Sequence, residues 1–151
     1  MIERPNYLIV HTSWYQEEIA KMIEIAEKQL GVSKNIDEGT WKLRVPGSLE
    51  LAAGAKRYLE SFSDVNGIIF CGIVIRGETS HYDLVTQEAF RSIGNLALEF
   101  PNIYMVNNVI CVENKEQLIE RLEKNTVNNS NALKEMIFND LNANKDRGIL
   151  I

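Results

Sequence analysis

Residues 74–83, VIRGETSHYD, hold most of what this chain offers for chemistry. His81, one of two histidines, follows Arg76, Glu78 and Thr79 at the mouth of a glycine-containing turn, directly after an apolar run. A histidine side chain transfers protons near neutral pH. The start of a helix attracts anions through its unpaired N–H groups and its dipole. Together they describe a place where a proton and an anion are handled side by side. The plainer alternative stays open here: Thr79 as an ordinary helix cap, His81 as a surface residue, and Arg76 paired with a neighbouring carboxylate.

Three further polar patches follow apolar runs: HTSWY, PGSLE and whatever succeeds MVNNVIC. Trp14 in the first can stack on a planar ring or close over the core. Glu50 in the second sits in the first turn of a predicted helix, where the dipole alone favours a carboxylate. Arg121 falls near the end of a predicted helix, where a cation is equally at home. Taken singly, none of these residues specifies a function.

Their value depends on the elements that carry them. Residues 7–10, 40–45, 67–75 and 102–112 read as strands, the third so continuously apolar that it must be covered on both faces. Helical spacing marks residues 16–30, 48–60, 82–100 and 115–124, and after the polar stretch NTVNNSN a last helix over 132–142. Ser13 with Gln16 fits a capping box, Gly31 a helix stop, and Asn114 a cap. Strand and helix alternate four times, which predicts a parallel sheet with helices on both faces. In such sheets ligands bind beyond the carboxyl ends of the strands. The polar patches would therefore converge on one rim.

The bulk properties narrow the function classes. A chain of 151 residues, 45% hydrophobic and 25% charged, fits one ordinary globular domain spanning 1–151. Its net charge of −5 gives no basic field for nucleic acid, yet it is compatible with a local basic pocket for one small phosphate. No charged leader with a long apolar core opens the sequence, and no apolar run reaches the roughly 18 residues that span a bilayer. A cytoplasmic protein without membrane partners is expected. Cys71 and Cys111 lie within apolar runs and read as core thiols, not as a disulfide or metal pair. The terminal KDRGILI either packs on a neighbour or frays.

Taken together, VPGSLELAAGAKRYLE, GIIFCGIVIRGETSHYDLVTQEAFRSIGNLALE and ENKEQLIERL resemble the 6,7-dimethyl-8-ribityllumazine synthase family over roughly residues 7–123. The match to that family's R-G-x-T-x-H-x-D and V-P-G-x-x-E motifs is the strongest part. The resemblance implies a flavodoxin-like three-layer α/β/α sandwich with a four-stranded parallel sheet. It also implies a riboflavin biosynthesis enzyme that condenses a ribitylaminopyrimidinedione with 3,4-dihydroxy-2-butanone 4-phosphate, using no cofactor and no metal. By motif, His81 matches the proton-transfer histidine, and Glu78 and Thr79 the positions that hold the phosphate. Arg121 matches an arginine reaching that phosphate from an adjacent subunit, which implies a homopentamer or a multiple of it. Trp14 matches the residue stacked on the pyrimidine. Ser48, Leu49 and Glu50 match residues binding the ribityl chain and ring, and Ile73, Val74 and Ile75 the strand end that contacts the ring.

The chain also departs from the family pattern. Asn107 stands where an aromatic residue is common, NNVIC replaces FGVLT, and EKNTVNNSN lacks the family's glycines, so no lysine is carried over from that segment. The strand that many members place before the first core strand is nearly absent. These departures admit a second expectation, a homolog that binds lumazine or flavin, or forms a shell, without catalysis. A third, a flavodoxin-like flavin mononucleotide binder, is disfavoured because HTSWYQEE lacks a phosphate-cradling loop.

Overall fold

The longest apolar run forms the centre of the molecule. In the computed structural model, which describes residues 5–31 and 40–145 (the backbone alone for 140–145), Gly67–Ile75 is a strand buried along its whole length. Numbered in chain order it is β3, with β1 Tyr7–His11, β2 Thr40–Arg44 and β4 Tyr104–Val112. The sheet is parallel throughout, in the order β2-β1-β3-β4. His11, the last residue of β1, pairs with Arg44 on one side and Cys71 on the other, whereas β3 and β4 stay paired as far as Ile75 and Val112. The end of β3 thus projects past β1 and β2. It stands as a wall beside whatever follows them.

Alternation along the strands sends side chains to two separate cores. Ile69, Cys71, Ile73 and Ile75 meet α1 (Gln16–Leu30) and α4 (Lys115–Lys145), while Ile68, Phe70 and Val74 meet α2 (Leu51–Ser61) and α3 (Tyr82–Glu99). Fully burying one such side chain contributes about 1.5–3 kcal/mol, so both faces must be covered for the sheet to persist. The result is the three-layer α/β/α arrangement expected from the sequence. Cys71 lies in one core and Cys111 packs against the other. Burial pushes their thiols up to about 12 and about 11, as befits core thiols with no thiolate chemistry.

Gly54 of α2 marks the tightest helix-to-sheet approach: a Cβ there would stand 2.6 Å from Cγ1 of buried Val45. Overpacking costs about 1–3 kcal/mol, against a gain of up to about 1 kcal/mol from alanine's better helix propensity. Gly54→Ala is therefore expected to destabilise by about 1 kcal/mol net, read as a lower thermal midpoint; an unchanged or raised midpoint would contradict the packing.

Three expectations about the elements need correction. The predicted helices at 115–124 and 132–142 are one helix, α4, and the polar stretch between them is its middle. Leu118, Leu122, Thr126, Ser130, Leu133 and Ile137 are all buried and recur every three or four residues, so one face continues through the polar segment. Ser13 does not cap α1. Its hydroxyl donates to the Val45 carbonyl (2.9 Å), and the helix instead starts from Tyr15 in a left-handed turn. The helix predicted from Ser48 opens as a 3-10 turn, Ser48–Glu50, before α2 begins. Asn114 caps α4 as expected, accepting the Gln117 N–H at 2.9 Å. The linker 32–39 and the terminus beyond Lys145 lie outside the described residues.

Candidate active site

The rim is built by lacing the loops that leave the strands. The Val45 N–H donates to the His11 carbonyl (2.8 Å), Thr12 N–H to Cys71 (3.1 Å) and Ser13 N–H to Pro46 (3.4 Å), while Arg44 Nε donates to Ser13 Oγ (2.8 Å). These bonds hold HTSWY and PGSLE side by side. Gly72 of β3 leaves the space beneath them, since a Cβ there would come within 3.1 Å of Ser48 Oγ. His11 belongs to this scaffold: its half-buried ring bonds to the Thr12 carbonyl through Nδ1, and burial keeps its pKa below the ordinary value.

Between these loops and the projecting end of β3 lies a cavity of about 480 Å³, a size typical of small-molecule sites. Trp14 and Tyr15 contribute from the first loop, Gly47, Ser48, Leu49 and Glu50 from the second. Ile73, Val74 and Ile75 form its strand wall, Glu78 and Thr79 its far end, and Val85 of α3 its flank. Nine of the residues singled out from the sequence thus meet in one place, with Trp14 70% exposed, so that one ring face remains free.

The turn after β3 is held rigidly from outside the cavity. Arg76 Nε donates to Glu113 (2.9 Å to Oε2) and Nη1 to Asp83 Oδ1 (3.2 Å), and the guanidinium lies 4.1 Å from the centre of the Tyr82 ring. The plain alternative for Arg76 therefore holds, as a clamp joining the ends of β3 and β4 to α3. The bond to Glu113 and the charge of Asp83 raise its pKa further. Within the turn, Thr79 Oγ1 accepts the His81 N–H (3.1 Å), and the Thr79 N–H closes on the Arg76 carbonyl. Thr79 consequently orients the first residue before α3 in place of capping the helix proper.

Three singled-out residues do not line this cavity. His81 is exposed at the entry to α3 and faces an adjoining depression whose walls include Leu49 and Val85, both shared with the main cavity. Asn107 sits mid-way along β4, its Oδ1 accepting the Val109 N–H (2.8 Å) and its carbonyl accepting Asn129 Nδ2 (3.5 Å). Arg121 is exposed on α4. One buried feature joins the two unusual segments: Asn108 Nδ2 donates to Thr126 Oγ1 (3.0 Å), and Asn129 Nδ2 donates to Asn108 Oδ1 (2.8 Å).

Tyr15, Gly47 and Val85 line the cavity without having been singled out. Tyr15 donates to Glu78 Oε2 at 2.6 Å, and burial together with that carboxylate pushes its phenol up to about 12. The available signal was an aromatic residue beside Trp14 in a patch already marked as rim.

Comparison with known proteins covers most of the chain. A family model described as 6,7-dimethyl-8-ribityllumazine synthase matches residues 4–139. A protein of that name from Neisseria meningitidis serogroup C / serotype 2a is 34% identical over 116 residues, 77% of this chain and 72% of the relative. Another from Agrobacterium fabrum is 28% identical over 130 residues, 82% and 83% of the two chains.

Proposed function

The chain belongs to the 6,7-dimethyl-8-ribityllumazine synthase family, and we propose that it works as that family's enzyme in riboflavin biosynthesis. It condenses 5-amino-6-(ribitylamino)pyrimidine-2,4-dione with 3,4-dihydroxy-2-butanone 4-phosphate, releasing phosphate and water. The observation that carries this is the convergence of Trp14, the Ser48–Glu50 turn, the β3 end and the Glu78–Thr79 pair on one cavity.

In this assignment the pyrimidinedione stacks on the free face of Trp14, with its ribityl chain along Ser48, Leu49 and Glu50 and its ring edge against Ile73, Val74 and Ile75. The phosphate of the butanone lies at the turn, held by Thr79 and backbone N–H groups near Glu78. His81 moves the protons that imine formation and phosphate loss require. Positioning two reactants can supply roughly 7–11 kcal/mol, whereas one general acid or base contributes about 10²–10⁴-fold. A cavity that mainly orients therefore suffices, and no side-chain nucleophile is needed.

Arg121 and Asn107 lie outside the cavity of their own chain, which supports a ring in which each site borrows from a neighbour. Exposed Leu84, Leu98 and Ile119 supply apolar surface for such contacts. Each site then combines one chain's cavity with Arg121 of the next, in a pentamer or a multiple of it. No helix among the described residues is long and apolar enough to cross a membrane.

The test is to mix the protein with both substrates and follow the absorbance and fluorescence of the lumazine product. A rate no greater than the spontaneous condensation would refute the assignment; tight lumazine binding without turnover would instead identify a non-catalytic homolog. Trp14→Ala is expected to raise KM for the pyrimidinedione roughly tenfold, the range that one stacked ring supplies, with KM for the butanone nearly unchanged in steady-state kinetics.

A further inference from the structure

One contact in the cavity has no part in the reaction as outlined. Tyr15 donates to Glu78 Oε2 at 2.6 Å, joining the loop after β1 to the turn after β3, and both residues line the cavity. Among the described residues Tyr15 is also the sole non-glycine with a positive φ, at 57°. Such a conformation persists only where surroundings enforce it, and it concentrates at functional sites. Its phenol, pushed up to about 12, remains a donor throughout the neutral range.

The contact answers a difficulty in the site. Glu78 adjoins Thr79, so a carboxylate stands next to the place assigned to a phosphate, and like charges at that range repel. Arg76, the cation of the same turn, is already engaged by Asp83 and Glu113. Among the described residues no ion pair involves Glu78, and its side-chain bond is to Tyr15.

We infer that Tyr15 is a positioning residue: its phenol holds the Glu78 carboxylate on the α1 side of the cavity, so that the phosphorylated substrate meets Thr79 and backbone N–H groups and not a second negative charge. Released from Tyr15, the acid would swing freely across the anion site. This rests on the assignment of the turn as the phosphate site.

The experiment compares Tyr15→Phe, Tyr15→Phe/Glu78→Gln and Thr79→Ala with the full-length parent in steady-state kinetics. Tyr15→Phe is expected to raise KM for the butanone phosphate about tenfold, the factor lost with one charge-assisted hydrogen bond, with kcat and KM for the pyrimidinedione within about twofold. Adding Glu78→Gln removes the charge and should restore that KM, a rescue that a merely structural role of the phenol would not produce. If Thr79→Ala raises KM for the butanone phosphate but Tyr15→Phe does not, or if the double variant stays as impaired as Tyr15→Phe, the role of Tyr15 is overturned alone. If Thr79→Ala also leaves that KM unchanged, the phosphate assignment of the turn falls with it.

Discussion

Replacing Arg121 by alanine is expected to lower kcat/KM for the butanone phosphate about 10²-fold while the protein stays assembled. In the single chain Arg121 is an exposed residue of α4 and contributes nothing to its own cavity. Exposed ion pairs are worth about 0–1 kcal/mol, so a large effect requires that a neighbouring copy desolvate the guanidinium against the phosphate. Truncating one partner of such a desolvated pair typically costs about 2–5 kcal/mol. The loss should fall on KM for the phosphorylated substrate and spare that for the pyrimidinedione. Mixed assembly provides a stricter check. Arg121→Ala chains co-refolded with His81→Ala chains should regain activity, because roughly a quarter of the sites in a randomly mixed ring draw both intact residues from different chains. A KM unchanged by Arg121→Ala, or mixtures no more active than either parent, would place Arg121 outside the site.

His81→Ala is expected to lower kcat by at least about 10²-fold, within the range of a lost general acid or base, with both KM values nearly retained. His81 lies just outside the main cavity, beyond the wall formed by Leu49 and Val85. Its backbone is fixed by Thr79, and its side chain is exposed. Proton-transfer contacts often close only once substrate is bound, so this position is compatible with the proposed role. Single-turnover formation of lumazine measures the step directly; a rate constant equal to the parent's would remove His81 from the chemistry and leave positioning alone to explain catalysis.

The parts legible in the sequence were those in which residue type and position carry the same message. The run at β3 is apolar without interruption because both of its faces are covered, and the polar patches after it and after β1 and β2 stand out by contrast. Hence the parallel sheet and its polar rim could be read in advance, whereas the nine residues that line the cavity were named through the family motifs they match. Residues whose partners are remote in sequence behaved otherwise. Thr126, Asn129 and Ser130 look like loop formers, but the buried face of α4 runs on through Thr126 and Ser130, and Asn108 across on β4 bonds Thr126 and Asn129. Ser13 has the residue type and spacing of a cap, but the left-handed turn at Tyr15 frees its hydroxyl to tie the two loops together. Beyond its place beside Trp14, Tyr15 carried no local mark, because its partner Glu78 lies across the cavity on another loop.

The Asn108–Thr126–Asn129 cluster means that NNVIC and NTVNNSN, two departures from the family pattern when read along the chain, are one change in space. An apolar residue at 108 would strand the Thr126 hydroxyl in the interior, and a glycine-rich segment after Arg121 would strand the Asn108 amide. Each broken half costs more than the intact pair contributes. The two segments therefore form a single unit of exchange between relatives, transferable together and costly to transfer apart.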